Sequence, residues 1–326
     1  GSNFCLGESG LYARIGSKCI RLNVVSGKKL AEFQVPARTD DRPTAWGYIA
    51  LTEGLLFGSR SNTDYTVVNT YNRANAGQGY PESDILFAMH PETGSLQWTY
   101  TARHSIRHNS IAIGSGRVYL IDRPRARVDL LRRGKLKPGE VHATGELICL
   151  EAKTGKILWK AQDSWGTLLA LSSRHDVLVM SFQPTQYALP SERGGRLMAF
   201  RASVGKPLWD RKVKYATRPV INDSTVYAQG GAWDLVTGKD RPFTMSRSYG
   251  CGQISSSKSL MLFRSATLGY FDLTRKAGVE NFGGIRLGCW INAIPVGGLV
   301  LVPDGTVCTC SYLNRASFAL QQVDAE

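Results

Sequence analysis

The segment from His104 to Asn109 holds the groups of this sequence that could most readily move a proton. Two of the five histidines, His104 and His108, flank Arg107 there, and side chains four residues apart on a strand point to the same side. An imidazole that accepts a proton beside a guanidinium that neutralises a carboxylate would suit a lyase acting on uronate polymers. The candidate catalytic residues are His108, Tyr249, Arg107 and Asn281. The alternative is that each histidine caps a loop carbonyl.

Aromatic, amide and guanidinium side chains stand at or just before the starts of several apolar segments that are predicted to be strands. Small apolar residues would be ordinary at such positions, whereas rings and amides suit a planar or sugar-like ligand. The candidate ligand-binding residues are Trp46, Tyr48, Arg107, Asn109, Trp165, Arg218, Tyr249, Trp290 and Asn292. The alternative is that Trp46 and Trp165 plug a channel, while the arginines bond backbone carbonyls of neighbouring repeats.

The cysteines favour an exported protein with disulfide bonds. Four of the seven lie in the last third of the chain, and they are the disulfide candidates Cys251, Cys289, Cys308 and Cys310. A four-thiolate metal site also fits the count, but the spacing is Cys-x-Cys and the usual Cys-x₂-Cys knuckles are missing, so no metal is expected. Cys149 is predicted to be a buried free thiol, and Cys5 and Cys19 could pair or remain free.

The positive charge is concentrated in one segment. The chain has 40 basic and 26 acidic residues, for a net charge of +14. Seven basic residues lie between Asp122 and Lys137, namely Arg123, Arg125, Arg127, Arg132, Arg133, Lys135 and Lys137. No aromatic residue accompanies them to stack on bases, so a specific nucleic-acid partner is not predicted. An acidic polysaccharide, an anionic surface or an acidic partner domain is the expected contact, and a solvated loop is the alternative.

Internal repeats indicate the elements that must position these groups. Residues 86–98, 147–159 and 197–209 align without gaps, and each predicts a strand, a turn at Gly94, Gly155 or Gly205, and a strand that ends on tryptophan. A second strand–turn–strand unit precedes each copy, so four strands recur together. This pattern predicts an all-β fold, a β-propeller of seven four-stranded blades with eight as the alternative, in which the first copy lacks an innermost strand.

The predicted propeller forms a single domain over residues 1–326. Its blades are expected at approximately 5–36, 46–101, 105–162, 165–213, 216–243, 246–284 and 287–322. A composition that is 43% hydrophobic excludes a disordered chain. Because no apolar run approaches the roughly 20 residues of a membrane helix, no membrane span is predicted.

The strand, Thr-Gly-Lys, Trp pattern resembles the tryptophan-docked repeats of the quinoprotein-like (pyrroloquinoline-quinone-binding-like repeat) β-propeller family, over nearly the whole chain. Segments 104–109, 247–252, 263–270, 280–284, 288–292 and 308–314 are similar to a bacterial subgroup of multidomain proteins. The resemblance implies that this chain is a piece of a longer one. It also raises pyrroloquinoline quinone with Ca²⁺ as a cofactor, yet the adjacent cysteines of many such dehydrogenases are represented only by Cys308-Thr-Cys310. We therefore expect no cofactor, with the quinone as the alternative.

These observations together predict a binding or scaffold module rather than an enzyme. The expected partner is another domain of the same longer chain, a separate protein or a carbohydrate, and the expected location is periplasmic or extracellular. The alternatives are a polysaccharide lyase and a quinone-dependent oxidoreductase acting at the channel face.

Overall fold

The computed structural model describes residues 3–40, 43–62, 81–126, 144–182, 195–248, 253–275, 277–285, 287, 293–303 and 317–321. These residues form 26 β-strands. No helix in the described part of the chain is long and apolar enough to cross a membrane. The prediction of an all-β chain is confirmed.

The strands form six separate sheets, and hydrogen-bonded neighbours always follow one another in sequence. The first sheet contains β1 (Phe4–Gly7), β2 (Gly10–Ile15), β3 (Lys18–Leu22) and β4 (Lys29–Gln34). The second contains β5 (Trp46–Thr52), β6 (Leu55–Ser61), β7 (Glu82–Met89), β8 (Leu96–Gly114), β9 (Arg117–Asp122), β10 (Gly145–Glu151) and β11 (Ile157–Ser164). The third contains β12 (Leu168–Ser172), β13 (Val177–Ser181), β14 (Arg196–Arg201) and β15 (Lys206–Lys212).

The remaining strands make three further sheets. The fourth sheet contains β16 (Val220–Asn222), β17 (Thr225–Ala228), β18 (Gly231–Asp234) and β19 (Asp240–Arg241). The fifth contains β20 (Ser255–Ser256), β21 (Leu260–Ser265), β22 (Thr267–Asp272) and β23 (Val279–Phe282). The sixth contains β24 (Ile294–Val296), β25 (Leu299–Val302) and β26 (Phe318–Gln321). In the first, second, fourth, fifth and sixth sheets every neighbouring pair is antiparallel.

The first sheet corrects one expectation from the sequence. It has four strands, because β1 pairs with β2 from Phe4 opposite Ala13 to Gly7 opposite Gly10. The first repeat therefore does not lack an innermost strand. The short segment Phe4–Gly7 is exposed or half-buried at every position. It therefore lacks the buried apolar residues whose spacing predicts the other strands.

The chain divides into two compact units. The first comprises residues 1–180, 187–193 and 201–206, and the second comprises residues 181–186, 194–200 and 207–326. In the first unit, one core is built around Phe57, Ile106 and Leu120, and another around Tyr12, Trp46 and Phe87. The second unit has separate cores, one containing Met261, Phe263 and Phe271 and the other containing Leu262, Leu268 and Val302.

Five hairpin turns share one geometry, as the repeat pattern predicts. In each turn the glycine N–H donates to the backbone oxygen four residues earlier, at 2.8–2.9 Å. These glycines are Gly27, Gly94, Gly155, Gly205 and Gly238, with φ between 68° and 71°. A side chain is strained at this φ, so the recurring glycine is explained by the backbone.

Tryptophans dock on these turns. The Nε1–H groups of Trp98 and Trp159 donate to the carbonyls of Ala152 and Ala202, at 2.9 and 3.1 Å. The backbone of the turn glycine then lies directly against the indole, since a Cβ on Gly155 or Gly205 would fall 2.7 or 2.5 Å from a ring atom. In the second unit, Trp209 docks in the same way on the carbonyl of Leu235 and on Gly238.

Candidate functional site

Four strands of the first unit carry most of the sequence-predicted site residues that are described. The contacts follow chain order, since β1 lies against β5, β5 against the long strand β8, and β8 against β12. Tyr48 belongs to β5, His108 and Asn109 belong to β8, and Trp165 lies just before β12. We call these strands the inner row. It gathers part of the predicted set in one unit.

A buried chain of hydrogen bonds links β5 to β8 through β6 and β7. The Tyr48 backbone N–H donates to Ser59 Oγ at 2.6 Å, Ser59 Oγ lies 2.7 Å from Ser83 Oγ, and Ser83 Oγ lies 2.8 Å from His108 Nε2. Both serines are fully buried and His108 is 5% exposed. The Tyr48 ring meets the imidazole edge-on, with centroids 6.4 Å apart.

Gly47 leaves the space that this chain of hydrogen bonds occupies. A Cβ at that position would fall 2.6 Å from Ser59 Oγ and 2.8 Å from both Ser83 Oγ and His108 Nε2. Sequence reasoning did not find the two serines, because they are distant in sequence and of an ordinary type. The one signal was the glycine inside an apolar strand, which often marks a close approach of other atoms.

The imidazole of His108 is held neutral. Burial is the main cause that lowers its pKa from 6.5 to about 3, and the nearby Arg14 guanidinium lowers it further. With Nε2 as acceptor, each hydroxyl of the chain both accepts and donates one hydrogen bond. Protonation would turn Nε2 into a donor and leave the Ser59 hydroxyl hydrogen without an acceptor in the chain. A base this weak and this enclosed suits a structural hydrogen-bond acceptor better than proton abstraction.

The expectation that His104 and His108 share one side of a strand is wrong. His104 is exposed, whereas Ser105 through His108 are all buried. The pairing register of β8 shifts between Ile106 and Ile111, which breaks the two-residue alternation. Asp122 fixes this irregular stretch by accepting the backbone N–H groups of Arg103, His104 and Ser105 at 2.6, 2.9 and 3.1 Å.

A second buried polar group lies beside this stretch. Glu82, on β7, is the register partner of Arg107 on β8, and both are almost fully buried. Glu82 Oε2 accepts the Ser105 hydroxyl at 2.9 Å and the Ala126 backbone N–H at 3.1 Å. Arg107 is therefore buried in the sheet beside Glu82, whose carboxylate is already hydrogen-bonded to Ser105 and Ala126.

The remaining predicted ligand-binding residues fall into three groups. Trp46 is 1% exposed and packs edge-on against Phe87 with centroids 5.1 Å apart, which fits the alternative of a packed tryptophan. Tyr48, Asn109 and Trp165 in the first unit are half-buried, as is Arg218 in the second. Tyr249, Trp290, Asn292 and the disulfide candidates Cys251, Cys289, Cys308 and Cys310 lie outside the described residues. The catalytic candidate Asn281 is exposed on β23 in the second unit, and its neighbour Glu280 binds Arg275 at 2.6 Å.

The first residue of the basic segment is buried, although the sequence predicts that the segment contacts an anionic partner. Arg123 is 1% exposed, and its Nη1 donates to the carbonyl of Gly166 at 3.2 Å, so it is a structural residue rather than part of an exposed cationic surface. Arg125 is half-buried. The other five basic residues, Arg127, Arg132, Arg133, Lys135 and Lys137, lie outside the described residues.

The three described cysteines are free thiols. Cys5 and Cys19 lie on β1 and β3, which are separated by β2, so they are not paired. Burial raises the pKa of Cys5 to about 11 and that of Cys19 to about 12. Cys149 is fully buried as predicted, and burial raises its pKa to about 12. These thiols are therefore poor nucleophiles at neutral pH.

The described carboxylates on β7 and β9, beside the inner row, do not fit a calcium–quinone site. Asp122 and Glu82 already accept backbone N–H and hydroxyl donors, and Asp84 binds the guanidinium groups of Arg38 and Arg60 at 2.9 and 3.0 Å. A Ca²⁺ ion requires several oxygens that converge without such partners. Among the described residues, no three histidine, cysteine or carboxylate side chains converge as metal ligands.

Antiparallel sheets of sequence-adjacent strands, docked to one another through tryptophan and glycine, define a β-propeller with repeats of the pyrroloquinoline-quinone-like type. The family model described as outer membrane protein assembly factor BamB matches residues 21–261. The chain belongs to this family, and the predicted resemblance to quinoprotein-like propellers is confirmed.

Solved structures share the fold at low sequence identity. BamB from Moraxella catarrhalis is 13% identical, with a TM-score of 0.57 over 92% of this chain and 81% of that one. KlHsv2 with its loop 6CD replaced by a Gly-Ser linker is 8% identical, with a TM-score of 0.50 over 86% and 80%. A europium-containing methanol dehydrogenase is 10% identical, with a TM-score of 0.47 over 92% and 60%. No curated protein sequence matches the chain.

Proposed function

We propose that this chain is a non-catalytic binding or scaffold module that holds a partner domain, another protein or a carbohydrate at the inner row. The observation that carries the proposal is that Tyr48, Asn109 and Trp165 are half-buried on or next to the inner row, where Tyr48 contacts the fixed Ser59–Ser83–His108 chain through its backbone and its ring. Because these hydrogen-bonded side chains are already fixed, binding at the inner row orders fewer groups and loses less conformational entropy. His108 contributes its lone pair to that chain and not to a substrate.

The family match supports a role in assembly. BamB is described as an outer membrane protein assembly factor, and a factor of that kind acts by binding other proteins. We extend the proposal to an exported location, to a single propeller domain of seven four-stranded blades, and to disulfides among Cys251, Cys289, Cys308 and Cys310. For the second unit we propose a separate binding set of Arg218, Tyr249, Trp290 and Asn292.

Binding measurements on single-residue variants test the proposal. The wild-type chain and Asn109→Ala, Tyr48→Phe and Arg218→Gln are titrated with neutral cello-oligosaccharides, with acidic oligogalacturonates and with the other domains of the longer chain. Loss of a hydrogen-bonding group at the site is expected to lower the affinity for one of these ligands by about tenfold. Asn281→Ala, at an exposed position of β23, is the control and should bind like the wild type.

Two outcomes would replace the proposal with an enzyme. Unsaturated uronate products formed by the wild type and lost in His108→Ala would establish the lyase. A saturable spectral change on adding pyrroloquinoline quinone with Ca²⁺ would establish the oxidoreductase. Binding of every ligand that is equal in the wild type and in the Asn109 and Tyr48 variants would show that the inner row is not the site.

A further inference from the structure

We propose that two neighbouring hairpins of the first unit form a docking surface for an anionic lipid membrane. The surface consists of Lys153, Lys156, Ile157, Leu158, Val204 and Lys206, and we call it the hairpin patch. All six side chains are exposed, with Ile157, Leu158 and Val204 at 43%, 45% and 62%. The inference is independent of the proposed function, because none of these residues belongs to the inner row.

The patch is continuous because the second hairpin docks on the strand that leaves the first. Trp159 follows Leu158 directly, donates its Nε1–H to the carbonyl of Ala202 at 3.1 Å, and carries the backbone of Gly205 against its ring. Val204 and Lys206 flank that glycine. The three aliphatic side chains and three lysines are therefore held on a rigid base.

The lysines of the patch are not neutralised. None of the three forms an ion pair with a described residue. The nearby carboxylates instead accept hydrogen bonds from residues of the hairpins. Glu151 accepts the Thr154 hydroxyl, and Asp176 accepts the backbone N–H and the hydroxyl of Ser203 at 2.8 and 2.6 Å. The patch therefore presents three lysines, unpaired within the described part of the chain, around its three aliphatic side chains.

Equivalent hairpins elsewhere each carry one lysine without an ion pair to a described residue, Lys28 in the first hairpin of the chain and Lys239 in the second unit. In the second unit, Asp234 pairs with Arg241 at 2.6 Å and Asp240 pairs with Arg211 at 3.0 Å, so that hairpin is largely neutralised. In the first hairpin of the chain, Lys29 is paired with Glu32 at 2.7 Å. A lysine after the turn glycine thus belongs to the repeat pattern, and the patch differs by its additional Lys153 and by joining two such hairpins.

The chemistry of the patch fits a lipid surface better than a protein partner. Protein interfaces are enriched in aromatic residues and arginine and depleted in lysine. Lysine stems can instead reach the headgroups while short aliphatic side chains enter the interfacial region. Each lysine near an anionic surface strengthens partitioning by about fivefold, so three should contribute about 100-fold.

Vesicle co-sedimentation tests this inference with the full chain. Vesicles of phosphatidylglycerol and phosphatidylcholine in equal parts are compared with vesicles of phosphatidylcholine alone. The wild type should bind only the anionic vesicles, and less at high salt. Lys153→Gln/Lys156→Gln/Lys206→Gln should bind about 100-fold more weakly, and Ile157→Ser/Leu158→Ser/Val204→Ser about tenfold more weakly.

A charge-matched control separates the patch from the net charge of the chain. Lys28→Gln/Lys214→Gln/Lys239→Gln removes the same charge from exposed positions outside the patch and should bind like the wild type. Equal loss in both triple variants, or no binding of the wild type, would overturn the proposal. Binding of poly-glutamate but not vesicles, lost in the patch variant, would assign the patch to an acidic protein instead. Each of these outcomes leaves the inner-row binding tests unaffected.

Discussion

Hairpins that are docked on an aromatic ring contrast with the hairpin of β22 and β23 in the second unit. The glycines at 94, 155, 205 and 238 each press on a ring, which belongs to Phe33, Trp98, Trp159 and Trp209 respectively. Gly278, in the turn before β23, has φ of 96° and no neighbouring atom within 4 Å of an added Cβ. A turn glycine with positive φ therefore does not by itself imply packing against a ring of the preceding repeat.

The first junction shows that a dock has two separable parts. Phe33 supplies the ring that packs on Gly94, and the Tyr12 hydroxyl supplies the hydrogen bond, donating to the carbonyl of Pro91 at 2.8 Å. Tryptophan provides the ring and the donor in one side chain. Phe243 is the aromatic residue that precedes the hairpin of β22 and β23. Its ring packs instead between those of Tyr227 and Phe271, with centroid distances of 4.9 and 5.0 Å.

Acid should lower the stability of the first unit, which contains His108, more than that of the hairpin of β22 and β23. His108 has a folded pKa of about 3 against 6.5 in an exposed state, so the unfolded chain binds more protons between these values. Its contribution to stability is complete above about pH 6.5 and falls as the pH drops, by about 3 kcal/mol at about pH 4. Hydrogen exchange of β5 and β8 against pH measures this, with His108→Gln as the variant that lacks the slope. An equal slope in both proteins would refute it.

Adding a methyl group to a turn glycine should distinguish the two kinds of hairpin. Gly205→Ala places a Cβ 2.5 Å from the Trp159 ring at a φ of 71°, so strain and overlap together should cost about 3 kcal/mol. Gly278→Ala meets open space and should cost only about 1 kcal/mol from the backbone. Denaturant midpoints of the two variants measure the difference. Equal costs would mean that the docked glycine is not packed as described.

Removing only the donor of a dock should have the smallest effect. Trp159→Phe keeps a ring on Gly205 and loses the hydrogen bond to Ala202, which should cost about 1 kcal/mol. Tyr12→Phe makes the matching change at the first junction and should cost a similar amount. The same denaturation measurement applies. A much larger loss in Trp159→Phe would assign the dock to the shape of the indole rather than to its N–H.

The repeats were predictable from sequence because each hairpin is local. A turn glycine, its carbonyl partner four residues earlier and a tryptophan four residues later lie within one short segment, as at Gly155 and Trp159. The candidate site was less predictable because its contacts are long-range. Ser59, Ser83 and His108 meet across three strands, and the register shift in β8 that separates His104 from His108 leaves no trace in residue types.

The protonation state of His108 tests most directly whether the inner row is a fixed binding surface or an acid–base site. Nitrogen-15 NMR of the His108 imidazole across a pH titration measures both its pKa and its tautomer. We predict a neutral ring with the hydrogen on Nδ1 that remains neutral well below the ordinary pKa of 6.5, because burial lowers this pKa to about 3. Titration of His108 near 6.5 would contradict the buried hydrogen-bond chain and would restore this residue as a candidate base.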